Sequence, residues 1–380
     1  MSLVIPSFTM GIEEEYLLVD RSSRALVTEM PARMLEECNA LCGDQQVSPE
    51  LLRAQIEIGT RICGNTTEAR EALTDLRRIV VEVADSHGLA PIAASTHPFA
   101  RWADQQPTAK ERYAMLTDQM QAAARRLLIC GMHVHIGIED NELRIDLMNQ
   151  LGYFLPHLLA LSCSSPFWEG HNTGLRSYRL TVFDALPRTG LPERFASYAE
   201  YERHVQILIN AGLMEDATTI WWDLRPSARY PTLETRVMDV CTSLDDALCI
   251  AAFIQCLLRM LYRLRIRNQR WRAYTNMLVN ENRWRAIRYG HAEGLIDFAK
   301  GTIVPFEELV DELLILVEED AQALGCEQEL AHCRGILGRG NSAERQVKVY
   351  DIAMAEGAEP GEALRAVVDH LIVETRAGIS

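Results

Sequence analysis

Alternating apolar and polar positions mark four strand-like runs: MGIEEEYLLVD at 10–20, RAQIEIGT at 53–60, CGMHVHIGI at 130–138 and PTLETRVMD at 231–239. Side chains two apart on a strand share a face. Glu13 with Glu15, Gln55 with Glu57, His133 with His135, and Glu234 with Arg236 can therefore project together. The same patterning predicts strands over 8–20, with 24–29 as its hairpin partner, and over 54–60, 89–96 and 129–138. RLTVFDAL (179–186) reads as a further strand, and TIWWDLRPS and PTLETRVMD as a close pair joined by SARYP. Helical periodicity takes over elsewhere. Thr66 or Thr67 caps a helix to about Ser86 with Leu73, Leu76, Val80 and Val83 as its apolar stripe. Further helices are expected over 108–128, 141–162 and 197–212, and then over 243–268, 282–289, 305–324, about 327–337, 342–356 and 360–376. SPFWEGHNTGLRSY (165–178) is rich in turn formers and reads as a loop over a site. The expected architecture is an α+β protein with a single catalytic domain over 1–380. Its sheet-bearing part covers about 8–242 and its helical part about 243–376.

Composition narrows the function. A chain of 380 residues with 48% apolar content can bury a substantial core. Its net charge of −15 argues against general nucleic-acid or anionic-membrane binding and leaves small-molecule substrates as the expected partners. The N-terminal stretch has no basic segment followed by a long apolar one, so no signal peptide is expected. The most apolar run, Ala247 to Tyr262, is interrupted by Arg259 and short for a membrane span, and a cytoplasmic location is expected. The ten cysteines lack zinc-site spacing and are expected to be reduced and largely buried.

The four runs, placed in one sheet, would crowd carboxylates, imidazoles and a guanidinium onto one surface. Carboxylates so crowded repel unless protons or cations intervene. Hard divalent cations are the natural remedy, and chemistry that needs several at once is phosphoryl transfer from a nucleotide. No P-loop and no G-x-G-x-x-G run is present, so a nucleotide would be held by metals and sheet side chains. Glu234 can hold a cation while Arg236 grips phosphate oxygens, although the two could also form a structural ion pair. Glu14 is expected on the opposite face, merely solvated. His133 and His135 also fit a zinc-dependent metallohydrolase, the rival from another class; a phosphagen-type kinase is the rival within phosphoryl transfer. Segments 97–102, 111–113, 165–179 and 280–290 are candidate pocket or lid pieces, with Asn282 and Arg288 reaching nucleotide or substrate. Arg225, beside Trp221 and Trp222, is expected to bind substrate or to pack against those rings.

Together, GIEEEYLLVD, SPELLRAQIEIGT, GMHVHIGI, GLRSYR and LETRVMD resemble the glutamate–cysteine ligase type 2 family of carboxylate–amine ligases, from about residue 8 to about 375. The order of motifs is also similar to the wider glutamine synthetase-like catalytic fold. The resemblance implies a curved antiparallel sheet, a half-barrel or funnel, with helices on its outer face. It implies an ATP-dependent ligase, with glutamate and cysteine as the default pair, joined through a γ-glutamyl phosphate. Two or three Mg2+ ions are implied, with Mn2+ able to replace them. Glu15, Glu50 and Glu57 would hold one ion, and Glu13, His133 and Glu234 a second. A third would share Glu13 and Glu234. Arg236 would bind the transferring phosphate, and Glu57 and Arg236 would carry catalysis. His135 would face substrate, while Arg176, Ser177 and Arg179 would bind the substrate carboxylate. A homodimer is compatible with the apolar C-terminal helices.

Overall fold

The computed structural model describes residues 5–379, apart from the side chains of residues 112 and 114–117. Its centre is a seven-stranded antiparallel sheet. The labelled strands are β1 (Met10–Asp20), β2 (Gln46–Pro49), β3 (Gln55–Gly59), β4 (Leu89–Ile92) and β5 (Met132–Gly137). The strands Leu224–Pro226 and Thr232–Thr235 complete the sheet. Thr232–Thr235 pairs with β5, β5 with β1, β1 with β3, and β3 with β2. β4 pairs with the far half of β1, on the side that β5 occupies at the near half. The order ends in two edge strands, so the sheet is open rather than closed.

The backs of these strands make the core. Met10, Ile12, Tyr16, Leu18, Ile56, Ile58, Met132, Val134 and Ile136 are all essentially inaccessible. Helix Leu244–Ile266 is long and apolar enough to cross a membrane, but most of it lies inside the fold as a core helix. Beneath β1, helix Thr66–Ser86 presents Leu73, Leu76, Val80 and Val83 to the core as its periodicity predicts. Its cap is Asn65, one residue before the expected Thr66, whose side chain accepts from Glu68 N–H.

Several elements differ from expectation. The 24–29 partner of β1 reduces to a single bridge between Val19 and Leu26. RLTVFDAL holds no strand: Tyr178–Phe183 is a helix, because burial of Arg179, Leu180 and Val182 overrides strand-like residue types. The 108–128 helix splits into Glu111–Met120 and Ala122–Arg125 at Gln121, whose φ of 47° cannot continue a right-handed helix. The 141–162 helix is interrupted by a 3₁₀ turn, Gly152–Phe154, just ahead of Pro156, which lacks the N–H to continue the ladder. The helix expected at 282–289 begins at Asn276. β2 and the hairpin Leu295–Asp297/Thr302–Val304 are additional.

Candidate active site

Strand register places the polar motifs on one face. Glu13 stands directly opposite His133, Glu15 opposite Glu57, His135 opposite Glu234, and Glu234 opposite Arg225. Directly opposed residues of antiparallel strands point to the same side. A continuous polar surface therefore crosses five strands, from Arg225 to Glu57.

Glu14 points the other way and corrects the expectation of a solvated side chain: it is fully buried against Arg77 of the Thr66–Ser86 helix. Arg77 Nε and Nη2 donate to the two Glu14 oxygens at 2.9 and 2.6 Å, Tyr16 Oη donates to the same carboxylate, and Arg77 also donates to the carbonyls of Cys241 and Thr242. The carboxylate and guanidinium leave no charge unmatched, which a buried position requires. The backbone between Glu13 and Glu15 is thereby clamped from behind.

At one end of the polar face sit Glu13, His135 and Glu234. Among the described residues, these are the three whose candidate ligand atoms all lie within 4.8 Å of one another. His135 Nδ1 lies 2.9 Å from the Thr232 hydroxyl, which fixes the ring and turns Nε2 toward Glu13 at 3.5 Å and Glu234 at 3.9 Å. That Nε2 is buried without a hydrogen-bond partner. Burial disfavours a charged His135, but its 3.5 Å contact with Glu13 and the charges of Glu234 and Glu13 outweigh it and raise the imidazole. His133 Nδ1 is 3.2 Å from Glu13 and 3.4 Å from Arg236 Nη1. Burial, with Arg236 beside it, holds His133 down to about 4, so this ring is neutral at physiological pH. Burial would raise Glu13 and Glu234, yet their cationic and imidazole neighbours win and hold both below the ordinary carboxylate range. Glu234 is gripped by Arg225 through Nε at 2.8 Å and Nη2 at 3.1 Å, and by Arg236 Nη1. Arg236 Nε is buried and unpartnered.

At the other end lie Glu15, Glu50 and Glu57. Burial and the nearby Glu50 charge push Glu15 up to about 8, with one oxygen accepting from Gly131 N–H at 2.7 Å. Burial, the charges of Glu50, Glu13 and Glu15, and a hydrogen bond with Glu50 raise Glu57 well above the ordinary range. Among the described residues no cation hydrogen-bonds these three carboxylates, and the Arg179 and Arg236 charges only partly offset the rise of Glu15, a crowding that a hard divalent ion relieves. The donor sets at both ends thus suit magnesium or manganese better than zinc. Beside Glu50, whose carbonyl accepts from the Thr108 hydroxyl, opens a cavity of about 670 Å³ lined partly by Arg53, Thr108, Lys110, Gln121 and Arg125. It adjoins the expected 111–113 segment, of which the Arg112 side chain lies outside the described residues.

The remaining predicted residues are placed as follows. Arg225 is committed to Glu234 and to the carbonyls of Thr218 and Ile220 rather than to the tryptophans; Arg188 covers Trp221 instead. Arg179 is buried beside Glu15 and Arg236, its guanidinium 3.3 Å from the Arg236 carbonyl and 3.5 Å from that of Val237. A Cβ on Gly131 would come within 2.9 Å of Arg179 Cζ, which explains the glycine before the His-x-His run. Ser177 donates to Asp239 Oδ1, while Ser164 N–H and the Ser165 hydroxyl take Oδ2, pinning both ends of the 165–178 loop. Arg176 has a buried, unpartnered Nε. Asn282 spends its amide on both polar groups of Ile296, and Arg288 donates to the Gly174 carbonyl. Neither is joined to the carboxylate face by a hydrogen bond. In the 97–102 turn, His97 is a satisfied core residue that accepts from Phe99 and Ala100 N–H and contacts the Arg24 carbonyl.

Reasoning from sequence missed Thr232, Arg77 and Asp239. Arg77 carried a signal: it lies four residues after Leu73 and three before Val80, within the apolar stripe. The resemblance gave the second ion to His133, whereas the tight group is completed by His135.

The family model for glutamate-cysteine ligase family 2 matches residues 9–370. A protein of Rhodospirillum rubrum provisionally named glutamate–cysteine ligase 2 is 60% identical over 375 residues, covering 98% of this chain and 96% of that one. A Ruegeria pomeroyi protein with the same provisional name is 57% identical over 372 residues, covering 98% and 96%. Among solved structures, a Francisella tularensis glutamate–cysteine ligase in complex with AMP superimposes with a TM-score of 0.67 at 13% identity, covering 98% of this chain and 90% of that one. A bifunctional glutathione synthetase from Pasteurella multocida gives 0.65 at 16% identity, covering 97% and 52%. The open antiparallel sheet with helices around it is thus the glutamine synthetase-like ligase fold.

Proposed function

The chain belongs to glutamate–cysteine ligase family 2 and is an ATP-dependent carboxylate–amine ligase of that type; from that premise we propose that its acid is glutamate, its amine cysteine and its product γ-glutamylcysteine. The observation that carries the chemistry is the register that aligns Glu13, Glu15, Glu57, His135 and Glu234 on one face.

A carboxylate is a poor electrophile until its oxygen becomes a leaving group. Phosphorylation by ATP makes it one, and the amine then displaces phosphate from the acyl phosphate. Magnesium ions, when bound, would neutralise the triphosphate and spread the charge of the transferring group. The residues fit such ions on two counts: the unpartnered, buried Nε2 of His135 faces two carboxylates, and Glu15 and Glu57 are buried and crowded enough to be raised, Glu15 in spite of the Arg179 and Arg236 charges. We assign Glu15, Glu50 and Glu57 to one ion, and Glu13, His135 and Glu234 to another, with His133 bracing Glu13. Arg236 supplies a free Nε–H for a phosphoryl oxygen while Glu234 fixes its guanidinium. Arg225 holds Glu234 from the other side, so the carboxylate stays oriented between substrates. We assign Arg176, with its unpartnered Nε, and Arg179 to the substrate carboxylate, and Ser177, which donates to Asp239, to holding the loop that carries them.

The test is ADP release from magnesium-ATP across a panel of acids and amines with mass detection of products. ADP formation that requires glutamate and cysteine together and yields the dipeptide is the expected result. ADP formation with another pair would replace the substrates. ADP formation with one substrate and a phosphorylated product would make the protein a kinase.

A further inference from the structure

The core helix Leu244–Ile266 carries Cys249 and Cys256, seven residues apart, and the segment packed along it carries Cys326 and Cys333, also seven apart. The two pairs run in opposite directions. Cys256 Sγ lies 3.3 Å from Cys326 Sγ, and the equal spacing in opposite directions sets Cys249 against Cys333, with the Cys249 thiol 4.0 Å from the Leu330 carbonyl. All four are free and fully buried. The result is a ladder with two thiol rungs, one near each end of the same helix–helix seam.

We propose that these rungs are two dithiol modification sites, which small-molecule disulfides convert to the cross-links Cys256–Cys326 and Cys249–Cys333. Three observations beyond thiol proximity support this. Charges pin the seam in register: Asp246 pairs with His332 and Arg339 at one end, and Asp320 with Arg259 and Arg263 at the other. The partner cysteines sit on short helical pieces, Glu327–Ala331 and Cys333–Arg339, bounded by Gly325 and Gly340, both at positive φ. Such pieces open locally at lower cost than the core helix does, which gives a small oxidant its entry. The neighbouring Cys249 lowers the Cys333 thiol despite burial, which favours Cys333 as the attacking sulfur of its rung.

The step is an exchange. The Cys333 thiolate attacks one sulfur of the disulfide RSSR and releases RS⁻. Cys249, giving up its proton, then attacks the Cys333 sulfur and releases the second RS⁻. Two protein thiols are oxidised, and one RSSR becomes two RSH. The other rung reacts by the same stoichiometry. The 3.3 Å separation of the first rung must close to about 2 Å for this to succeed, which requires a small shift of the short helical pieces toward the core helix.

The inference does not rest on the ligase reading. The folded full chain is incubated with oxidised glutathione, the remaining thiols are alkylated, and cross-linked peptides are mapped without reduction. Expected are the bridges 256–326 and 249–333, each with loss of two hydrogens, and a rise in melting temperature reversed by dithiothreitol. Cys256→Ser should lose the first bridge and keep the second; Cys333→Ser should do the reverse. Free thiols at all four positions, stable glutathione adducts in place of bridges, or bridges to Cys38, Cys42 or Cys241 would each overturn it.

Discussion

Metal binding to the Glu15–Glu50–Glu57 group should release protons, and the structure sets how many. Burial and Glu50 hold Glu15 at about 8 in the metal-free protein. At pH 7 a group with that value is about nine-tenths protonated. A divalent ion needs the ionised carboxylate, so Glu15 alone should release about one proton per ion bound, and Glu57, also raised, should add to it. Affinity for magnesium should therefore tighten about tenfold per pH unit for each proton released, a change of about 1.4 kcal/mol per unit, until the pH passes about 8.

The same shift sets the metal-free stability. A carboxyl whose folded value lies above its unfolded one of 4.5 binds more protons in the folded state. Stability should thus be greatest below pH 4.5 as far as this group is concerned, fall as pH rises, and level off above about 8. From 4.5 to about 8 is 3.5 units, so the ceiling on the loss is about 5 kcal/mol. Magnesium should remove it. Calorimetric titration in two buffers of different ionisation enthalpy gives the proton count, and urea melts from pH 5 to 8.5 with and without magnesium give the stability. A proton count near zero at pH 7, with affinity flat across that range, would refute the reasoning, because the carboxylates would then be ionised and already compensated.

Glu57→Gln should reduce ligation by at least about 100-fold, since loss of a metal ligand should cost more than loss of its supporting partner. It should leave the metal-free protein as stable or more so at pH 8, because one crowded charge is gone; a thermal melt and single-turnover product assay separate the two effects. Thr232→Val should free the His135 ring and raise the magnesium-ATP requirement about tenfold or more with the fold unchanged, and an unaltered nucleotide KM would count against the proposed orientation. Arg77→Met should cost about 3–5 kcal/mol in urea midpoint analysis by stranding the buried Glu14 carboxylate, whereas Arg77→Met with Glu14→Leu should recover most of it.

How much of this was legible in the sequence depended on distance along the chain. The polar face was readable because its residues recur every second position within apolar runs, a purely local pattern. Register was not local, yet the face assignments survived because each of these strands carries mainly apolar residues on one side of its motif and polar ones on the other. What failed was whatever depended on a remote partner. Glu14 read as solvated because its counter-ion stands 63 residues away on a helix. RLTVFDAL read as a strand because its residue types fit one, while its burial around Arg179 was invisible. β2 is too short to show alternation, although it places Ser48 opposite Glu57. The orientation of His135 likewise turns on a remote group, the Thr232 hydroxyl that aims its ring at two carboxylates.

The two ends of the site differ in charge, and that difference predicts an order of loading. At the Glu234 end, Arg225 and Arg236 already neutralise carboxylate charge and hold Glu234 below the ordinary range. An ion arriving there alone meets two guanidiniums and gains little. At the Glu15 end, burial and carboxylate crowding raise both Glu15 and Glu57, Glu15 in spite of the Arg179 and Arg236 charges, so an ion there relieves repulsion at once. The nucleotide changes the balance: its phosphates bring the negative charge that lets a cation sit between Glu13, His135 and Glu234 despite Arg236. Manganese titration followed by electron paramagnetic resonance should therefore show one tight ion without nucleotide, abolished by Glu15→Gln and insensitive to Glu234→Gln. Adding a non-hydrolysable ATP analogue should create further tight binding that requires Glu234. If nucleotide-free binding instead depended on Glu234 and survived loss of Glu15, the arginines would not be screening that end, and the electrostatic division of the site would be wrong.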